Sequence, residues 1–152
     1  MELMLVILVI AITGVLGLDT ISSYEANARS ERAARECLVA FRYARNLAFT
    51  SGKNACVRFN SGTNSFSVYW QSNGSSWDAS PVTQPMAQGQ TYTVSLNTAN
   101  ELAGCTYSIS PSATQFTYSA LGSCDTAGTI TFTFGNHTKQ LVVALVGDPT
   151  VN

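Results

Sequence analysis

Residues 1–18 form an almost unbroken apolar run at the start of the chain, with the sequence MELMLVILVIAITGVLGL. Glu2 is its only charged residue, and Thr13 is the only polar side chain that follows. A helix from Leu3 to Leu18 would span roughly 24 Å, slightly less than the hydrocarbon core of a bilayer, which is about 30 Å thick. The run therefore predicts an apolar helix that is retained in a membrane or packed inside an assembly.

Two other interpretations of this run fit its sequence less well. A secretory signal peptide has a positively charged start, whereas this run carries acidic Glu2, and no clean cleavage site precedes Asp19. A helix buried in a globular domain normally has a polar stripe, and residues 3–18 have none. We therefore expect residues 1–22 to form an apolar stem and residues 23–152 to form a globular head.

Residues 19–51 continue the helix with an amphipathic pattern. The apolar positions recur every three or four residues, at Ala34, Leu38, Phe41, Ala44 and Ala48. Opposite charges lie four residues apart, at Glu25–Arg29, Glu31–Arg35 and Arg32–Glu36, and are expected to pair on the outer faces. Gly52 provides a stop signal. The prediction is one helix of about 50 residues, far longer than the helices of ordinary globular proteins.

After Lys53 the apolar residues alternate with polar ones, which is typical of β-strands. Predicted strands cover residues 55–59, 65–70, 91–96, 105–109, 115–118, 129–134 and 140–146, and residues 72–90 are predicted to be a loop. The first two and the last two strands are expected to form hairpins, the last one turning through residues 135–138. The fold class is therefore α+β, with one long N-terminal helix packed on an antiparallel β-sheet head.

Charged residues are sparse and unevenly distributed. The chain has 8 Lys and Arg against 9 Asp and Glu, a net charge of −1. Every basic residue except Lys139 lies before residue 59, so the rest of the head is mildly acidic. The polar residues that replace charge suit an exported protein that packs against copies of itself. Nucleic-acid binding is not expected, because it requires a basic surface, and the aromatic residues of the strands are expected to pack in the core.

The chain has four cysteines, Cys37, Cys56, Cys105 and Cys124. An even number in a chain that is expected to be exported favours two disulfides, for which three connectivities exist. Pairing of neighbours in sequence, Cys37–Cys56 and Cys105–Cys124, is the simplest of the three. Each closed loop would stabilise the fold by about 3 kcal/mol. Free thiols in the core are the alternative.

Enzymatic chemistry is not expected from this sequence. His137 is the only histidine and lies in a predicted turn, so neither a Ser-His-Asp set nor a metal site of several histidines can form. The sequence has no CxxC pair and no glycine-rich phosphate loop. We therefore predict a structural protein without a catalytic site, a metal or a cofactor.

The start of the chain, Met-Glu-Leu-Met-Leu-Val-Ile, resembles the mature N-terminus of type IV pilins and type II secretion pseudopilins. In those families a leader peptidase exposes a start like Phe-Thr-Leu-Met-Glu, whose last two residues match Met1 and Glu2. The leader and about three mature residues would then precede Met1. The run from Arg42 to Ala48, RYARNLA, closely follows the spacing of an Arg-x-x-Ala-Arg-x-x-Ala run of H-type minor pseudopilins and their minor-pilin relatives.

This resemblance implies a structural subunit of an extracellular type IV pilus-like filament, a helical homopolymer that assembles through the apolar helix. It also implies residence in the bacterial inner membrane before assembly, processing by a prepilin peptidase, and contact with the pilus assembly machinery. One alternative is a minor H-type pseudopilin of a type II secretion system, which would be periplasmic. Another is a membrane-tethered receptor pilin for DNA or a surface ligand.

The resemblance points to four assembly residues in the stem: Glu2, Leu3, Gly14 and Gly17. In the family, the matching Glu meets the N-terminal amine of a neighbouring stem, and an uncompensated carboxylate in a membrane helix costs about 3 kcal/mol. Each glycine weakens the helix by about 1 kcal/mol relative to Ala. Many pilins have a Pro just past the apolar run, and this chain has none. We expect the glycines to replace it, with a helix break or stretch between Ala11 and Asp19 in the filament, or else to serve as close-packing positions in a continuous helix.

Overall fold

The computed structural model describes residues 2–73, 76–83, 90–97 and 101–152, with the side chains of 2–21 and 72–73 left aside. One helix, α1, spans Glu2–Ser51 without interruption. It stops where Gly52 adopts a φ of 67°, as the stop signal predicted. The stem residues proposed for assembly, Glu2, Leu3, Gly14 and Gly17, have side chains outside those described. Within the searched part of the structure, none of the helical segments has the length and apolar character to cross a membrane.

Nine strands follow α1 among the described residues, and all of their pairings are antiparallel. They are β1 Ala55–Asn60, β2 Ser65–Asn73, β3 Ser76–Trp77, β4 Thr93–Ser95, β5 Thr106–Ser110, β6 Gln115–Tyr118, β7 Gly128–Phe134, β8 His137–Val143 and β9 Thr150–Val151. The first sheet has the order β3-β2-β1-β6, and β4 also pairs with β2. The second sheet has the order β5-β7-β8-β9. The predicted α+β class, a long helix on an antiparallel head, is confirmed.

The first sheet turns one face of β1 toward α1. In β1, Val57 lies between Val68 of β2 and Phe116 of β6, and all three side chains are fully buried in the same core cluster. Since side chains alternate along a strand, Ala55 and Phe59 lie on this face as well. The hairpin predicted for the first two strands is confirmed.

The second sheet corrects the predicted boundaries of the last hairpin. β7 and β8 pair up to Phe134 and His137, so the turn is only Gly135-Asn136 and not residues 135–138. Gly135 has a φ of 57°, which suits the primed two-residue turns that match strand twist. β8 consequently ends at Val143 and not at residue 146. The short strand β9, which the sequence did not indicate, pairs its two residues with Leu141 and Val142.

The two strands on either side of Pro111, for which the sequence indicated no partner, lie in different sheets: β5 joins the second sheet and β6 joins the first. Residues 72–90 are not a simple loop, since β2 continues to Asn73 and β3 pairs with it. Long-range pairing decides which sheet β5 and β6 join, and a local alternation pattern does not specify it.

The core lies between α1 and the two sheets, and Phe41 stands at its centre. The Phe41 ring centroid lies 5.4 Å from that of Phe116 and 6.2 Å from that of Tyr118, both edge to face. Burying one such aromatic side chain stabilises a fold by roughly 2–3 kcal/mol. The predicted helix stripe is confirmed at Ala34, Phe41, Ala44 and Ala48, while Leu38 is only partly buried. The core interpretation of the strand aromatics holds for Phe66, Phe116, Tyr118 and Phe132, which are all buried.

Candidate assembly surface

The face of α1 that points away from the sheets is a continuous exposed ridge. Its members recur every three or four residues: Ala28, Arg32, Arg35, Val39, Arg42, Asn46 and Phe49. Val39 is 52% exposed and Phe49 is 70% exposed, although both side chains are apolar. The ridge therefore combines arginines with apolar side chains, which gives it the mixed character of a protein contact surface.

Three arginines on or beside the ridge, Arg29, Arg32 and Arg35, form ion pairs with acidic side chains. Arg29 pairs with Glu25 at 3.5 Å and Arg35 with Glu31 at 2.6 Å, as the four-residue spacing predicted. The hydrogen bond from Arg35, together with its charge, holds the pKa of Glu31 below its usual value. These pairs are exposed, so solvent screens them and each contributes little to stability.

The third predicted pair, Arg32–Glu36, is wrong. Arg32 forms its ion pair with Glu101 instead. The predicted pair places the cation N-terminal to the acid, which is the less favourable order on a helix, so a carboxylate from the head competes successfully. Glu36 is consequently left without an ion pair or hydrogen bond to any residue that the structure describes.

One side of the ridge carries a basic groove between α1 and the end of the second sheet. This basic groove encloses about 450 Å³. Its lining comprises Glu31, Arg35, Leu38, Arg42 and Lys139, together with residues 149–152. Arg42 makes no ion pair or hydrogen bond with the described residues, so its guanidinium is available to a partner.

The other side of the ridge carries a groove of opposite charge. This acidic groove encloses about 440 Å³ and is lined by Arg32, Glu36, Thr93, Val94, Ser95, Glu101 and Leu102. Two carboxylates face one guanidinium, and the ion pair with Glu101 already neutralises Arg32. The unpaired carboxylate of Glu36 therefore gives this groove its net negative charge.

A third surface feature is an apolar patch at the end of the head that lies beside the C-terminal turns of α1. Leu121 is 89% exposed, and Leu145 and Val146 are 51% and 79% exposed. The two loops that carry them are joined by a hydrogen bond from the Cys124 amide to the Leu145 carbonyl, at 2.8 Å. Arg45 anchors this end of the head to α1 through Gly122 and Asp148.

All four cysteines are buried free thiols in the structure, the alternative that the sequence left open. Burial raises the pKa of the Cys56 thiol to about 11, against a smaller lowering effect of the neighbouring Arg58. Burial also raises the pKa values of Cys37, Cys105 and Cys124. Because the thiolate is the reactive form, these protonated thiols react slowly at neutral pH.

The geometry explains why the expected Cys37–Cys56 pair is not formed. Cys37 points from α1 into the core, together with Ala55 and Val57 of β1. Cys56 lies between those two residues on the strand, so its side chain projects from the opposite face of the sheet. The sheet backbone therefore separates the two sulfurs.

The expected Cys105–Cys124 pair is not formed either. The Sγ atom of Cys105 lies 3.7 Å from the carbonyl oxygen of Arg29, whereas Gly122, two residues before Cys124, lies beside Arg45. Arg29 and Arg45 are roughly 24 Å apart along α1. A disulfide needs Cα atoms closer than about 7 Å, so the two thiols belong to different ends of the head.

His137, the only histidine, is the first residue of β8 and not a turn residue. Its Nε2 atom lies 3.1 Å from the hydroxyl of Ser23 on α1, so it fastens the second sheet to the helix. In the part of the chain that the structure describes, no three His, Cys, Asp or Glu residues converge as metal ligands would. No local pattern in the sequence indicates that Lys139 and Glu101 converge on α1, because both come from distant segments.

A long N-terminal helix on an antiparallel head is the pilin-like fold, and comparison with solved structures confirms this fold. The minor pseudopilin EpsH from the type 2 secretion system of Vibrio cholerae matches with a TM-score of 0.63 and 14% identity, over 82% of this chain and 96% of that chain. The type IV minor pilin FimU of Pseudomonas aeruginosa matches with a TM-score of 0.61 and 15% identity, over 81% and 87%. At such identities the likeness is one of fold.

Sequence comparison gives the family. The family model described as type II transport protein GspH matches residues 33–148, and the chain belongs to this family. The match excludes residues 1–18, so it is independent of the apolar run that suggested pilins and pseudopilins, and it confirms that resemblance. None of the curated proteins matches the sequence. The chain is thus a member of the GspH family with a pilin-like fold.

Proposed function

We propose that this protein is a subunit of an extracellular type IV pilus-like filament that polymerises through its apolar N-terminal helix. The observation that carries the proposal is the continuity of α1. A single helix from Glu2 to Ser51 joins the apolar residues 1–18 to a half whose inner face packs on the sheets. A rigid apolar rod attached to a folded head is the arrangement that lets many copies bundle their rods and display their heads outward.

The proposal includes a route to the filament. Before assembly the subunit resides in the bacterial inner membrane, with its stem in the bilayer. Its partners there are a prepilin peptidase and the pilus assembly machinery. The mixed ridge on the outer face of α1 supports repeated contact with other subunits, because it exposes Val39 and Phe49 among arginines. A catalytic role is not part of the proposal.

A second candidate function is that of a minor H-type pseudopilin, a periplasmic component of a type II secretion system. The GspH family match over residues 33–148 favours it. The two functions differ in copy number, since a minor subunit occurs rarely in a filament and a major subunit occurs at every position. A receptor pilin for DNA has less support, because the head beyond Arg58 has Lys139 as its single basic residue.

Imaging of filaments from cells that express the full chain tests these functions. Labelling with an antibody to the head should decorate the filament along its whole length if the chain is the major subunit. Decoration at one end would favour the minor pseudopilin. Filaments that never contain the protein would overturn both.

A further inference from the structure

We propose that the basic groove and the acidic groove are the two halves of one contact, in which a copy of this chain inserts its acidic side into the basic side of the next copy. The inference rests on the proposed filament function and specifies how neighbouring heads meet. In this contact, Arg42 and Lys139 of one subunit face Glu36 of its neighbour.

The first step of the argument is where the grooves lie. An α-helix turns about 100° per residue, so Leu38 and Arg42 lie on one side of Val39, and Arg32 and Glu36 lie on the other. The two grooves therefore flank the exposed ridge along the same stretch of α1. A neighbour that approaches from either side meets a groove at the same height on the head.

The second step concerns symmetry. A contact that pairs a surface with itself closes a dimer, whereas a contact between two different surfaces can repeat without end and generate a helical filament. The two grooves differ in sequence, in lining and in sign of charge, so each is unsuited to pair with itself. They satisfy the requirement for an open-ended assembly of identical copies.

The third step concerns the charges that remain unpaired within one copy. Arg42 in the basic groove and Glu36 in the acidic groove have no ion-pair partner among the described residues. The charge of Lys139 helps to lower the pKa of Glu31, but Arg35 already pairs with that carboxylate. Each groove thus offers the charge that the other lacks. Complementary charges of this kind set the orientation and the rate of association more than the affinity, which suits heads whose stems supply the main attraction.

A nucleic acid is a less suitable occupant of the basic groove. The groove contains the carboxylate of Glu31 among three cations, so an acidic group interrupts the positive surface. Continuous backbone binding requires several phosphates to be neutralised together. Thus a short acidic edge fits this groove better than a long polyanion.

Cysteine cross-linking in cells that express the full chain tests the contact. A chain that carries both Arg42→Cys and Glu36→Cys should form a ladder of covalent oligomers under oxidising conditions, because each copy presents one thiol to each neighbour. Chains with only one of the two substitutions should remain monomeric on a non-reducing gel. The native thiols are buried and do not compete. A dimer from the Arg42→Cys chain alone would show that the groove pairs with itself and would overturn the proposal.

Charge reversal provides a second readout that does not depend on thiols. Arg42→Glu and Glu36→Arg should each lower the yield of filaments several-fold, and the double variant should recover most of it. Lys53→Glu serves as the matched control, because it makes the same change of charge past the end of α1 and outside both grooves. Its filament yield should equal that of the unmodified chain.

The outcomes distinguish the contact from the filament function. If the unmodified chain enters filaments but the doubly substituted chain gives no ladder and the reversals leave the yield unchanged, the contact is wrong and the filament function stands. If the unmodified chain enters no filament, the proposed function itself fails. Salt-sensitive binding of duplex DNA to the full chain in detergent that Arg42→Glu abolishes would assign the basic groove to nucleic acid and overturn the contact.

Discussion

The Nε atom of Arg45, near the end of α1, donates a hydrogen bond to the carbonyl oxygen of Gly122 at a distance of 3.2 Å. The same guanidinium forms an ion pair with Asp148. One helical side chain therefore holds two separate loops, those around residues 119–124 and 144–149, against α1. These loops also carry the exposed apolar side chains Leu121, Leu145 and Val146.

We expect Arg45→Ala to destabilise the folded head by about 1 kcal/mol, because it removes a charge-assisted hydrogen bond and an ion pair that are partly exposed to solvent. The free energy of unfolding of the full chain in detergent, measured by denaturant titration, provides the check. Arg42→Ala is the matched control on the same helix, since Arg42 has no partner among the described residues, and it should change the free energy by less than about 0.5 kcal/mol. Equal effects of the two substitutions would contradict the anchoring role of Arg45.

The fold follows from periodicity in the sequence as far as local pattern determines it. The three-to-four-residue spacing of Phe41, Ala44 and Ala48 identifies the buried face of α1, and the alternation of Val57, Arg58 and Phe59 identifies β1. The family resemblance rests on the stem and on residues 42–48. It implied that a β-sheet head packs on the long helix. These signals are local, so they are visible in a single sequence.

The surface features depend on partners that are distant in sequence. Predictions from local spacing therefore do not include them or assign them wrong partners. The pairing of Arg32 with Glu101 overrides the local spacing to Glu36. The approach of Lys139 to the helix depends on the pairing of the second sheet, which the segments around Pro111 did not reveal. The expected disulfides assumed that cysteines close in sequence are close in space, and the alternation in β1 turns Cys56 away from α1.

The cysteines give a prediction about redox state. A digest of the protein, purified without reductant and alkylated after unfolding, should contain four alkylated cysteine peptides and no cross-linked pair. Alkylation of the folded protein at neutral pH should be slow, because the thiols are buried and their pKa values are raised. Recovery of a peptide that joins Cys37 to Cys56 would contradict the structure and restore the disulfide expected from sequence.

The same pKa shifts predict how stability depends on pH. The pKa of Cys56 is about 11 in the folded state against its ordinary value of 9.0, so between these values the unfolded chain has lost a proton that the folded chain retains. The contribution of Cys56 to the free energy of unfolding is therefore fully present below pH 9, and it is lost as the pH rises toward 11. The chain Cys56→Ala should show a shallower decline in denaturant titrations over this range. Identical slopes for the two chains would show that Cys56 does not contribute.

Glu2 is expected to act in assembly and not in folding of the head. The motivation is its position as the only charge of the apolar run, where an unpaired carboxylate is costly in lipid. Glu2→Ala should give a membrane-inserted chain with a folded head and with few or no filaments. Filament yield is measured by shearing and pelleting, and the unfolding transition of the head provides the control. A normal filament yield from this chain would remove Glu2 from the assembly mechanism.

The last prediction concerns the two stem glycines, Gly14 and Gly17. The helix α1 is continuous through both in the isolated subunit, where a break in lipid would leave backbone groups without hydrogen bonds. In a filament the neighbouring stems replace the lipid, and each glycine lowers the cost of unwinding by about 1 kcal/mol relative to Ala. We therefore expect the filament to show a break or stretch between Ala11 and Asp19, in a chain that has no Pro before Pro81.

A density map of the filament tests this break directly, because unwound residues lengthen the rise per residue beyond the 1.5 Å of an α-helix. The double substitution of Gly14 and Gly17 by Ala should keep the stem helical and shorten it, and the filaments should become fewer or change their helical parameters. Gly62→Ala, in the turn between β1 and β2, is the control for glycine replacement outside the stem, because Gly62 does not have a positive φ. Unbroken helical hydrogen bonds through both glycines in the map would instead mean that they serve as close-packing positions between stems, since small residues let helix backbones approach one another.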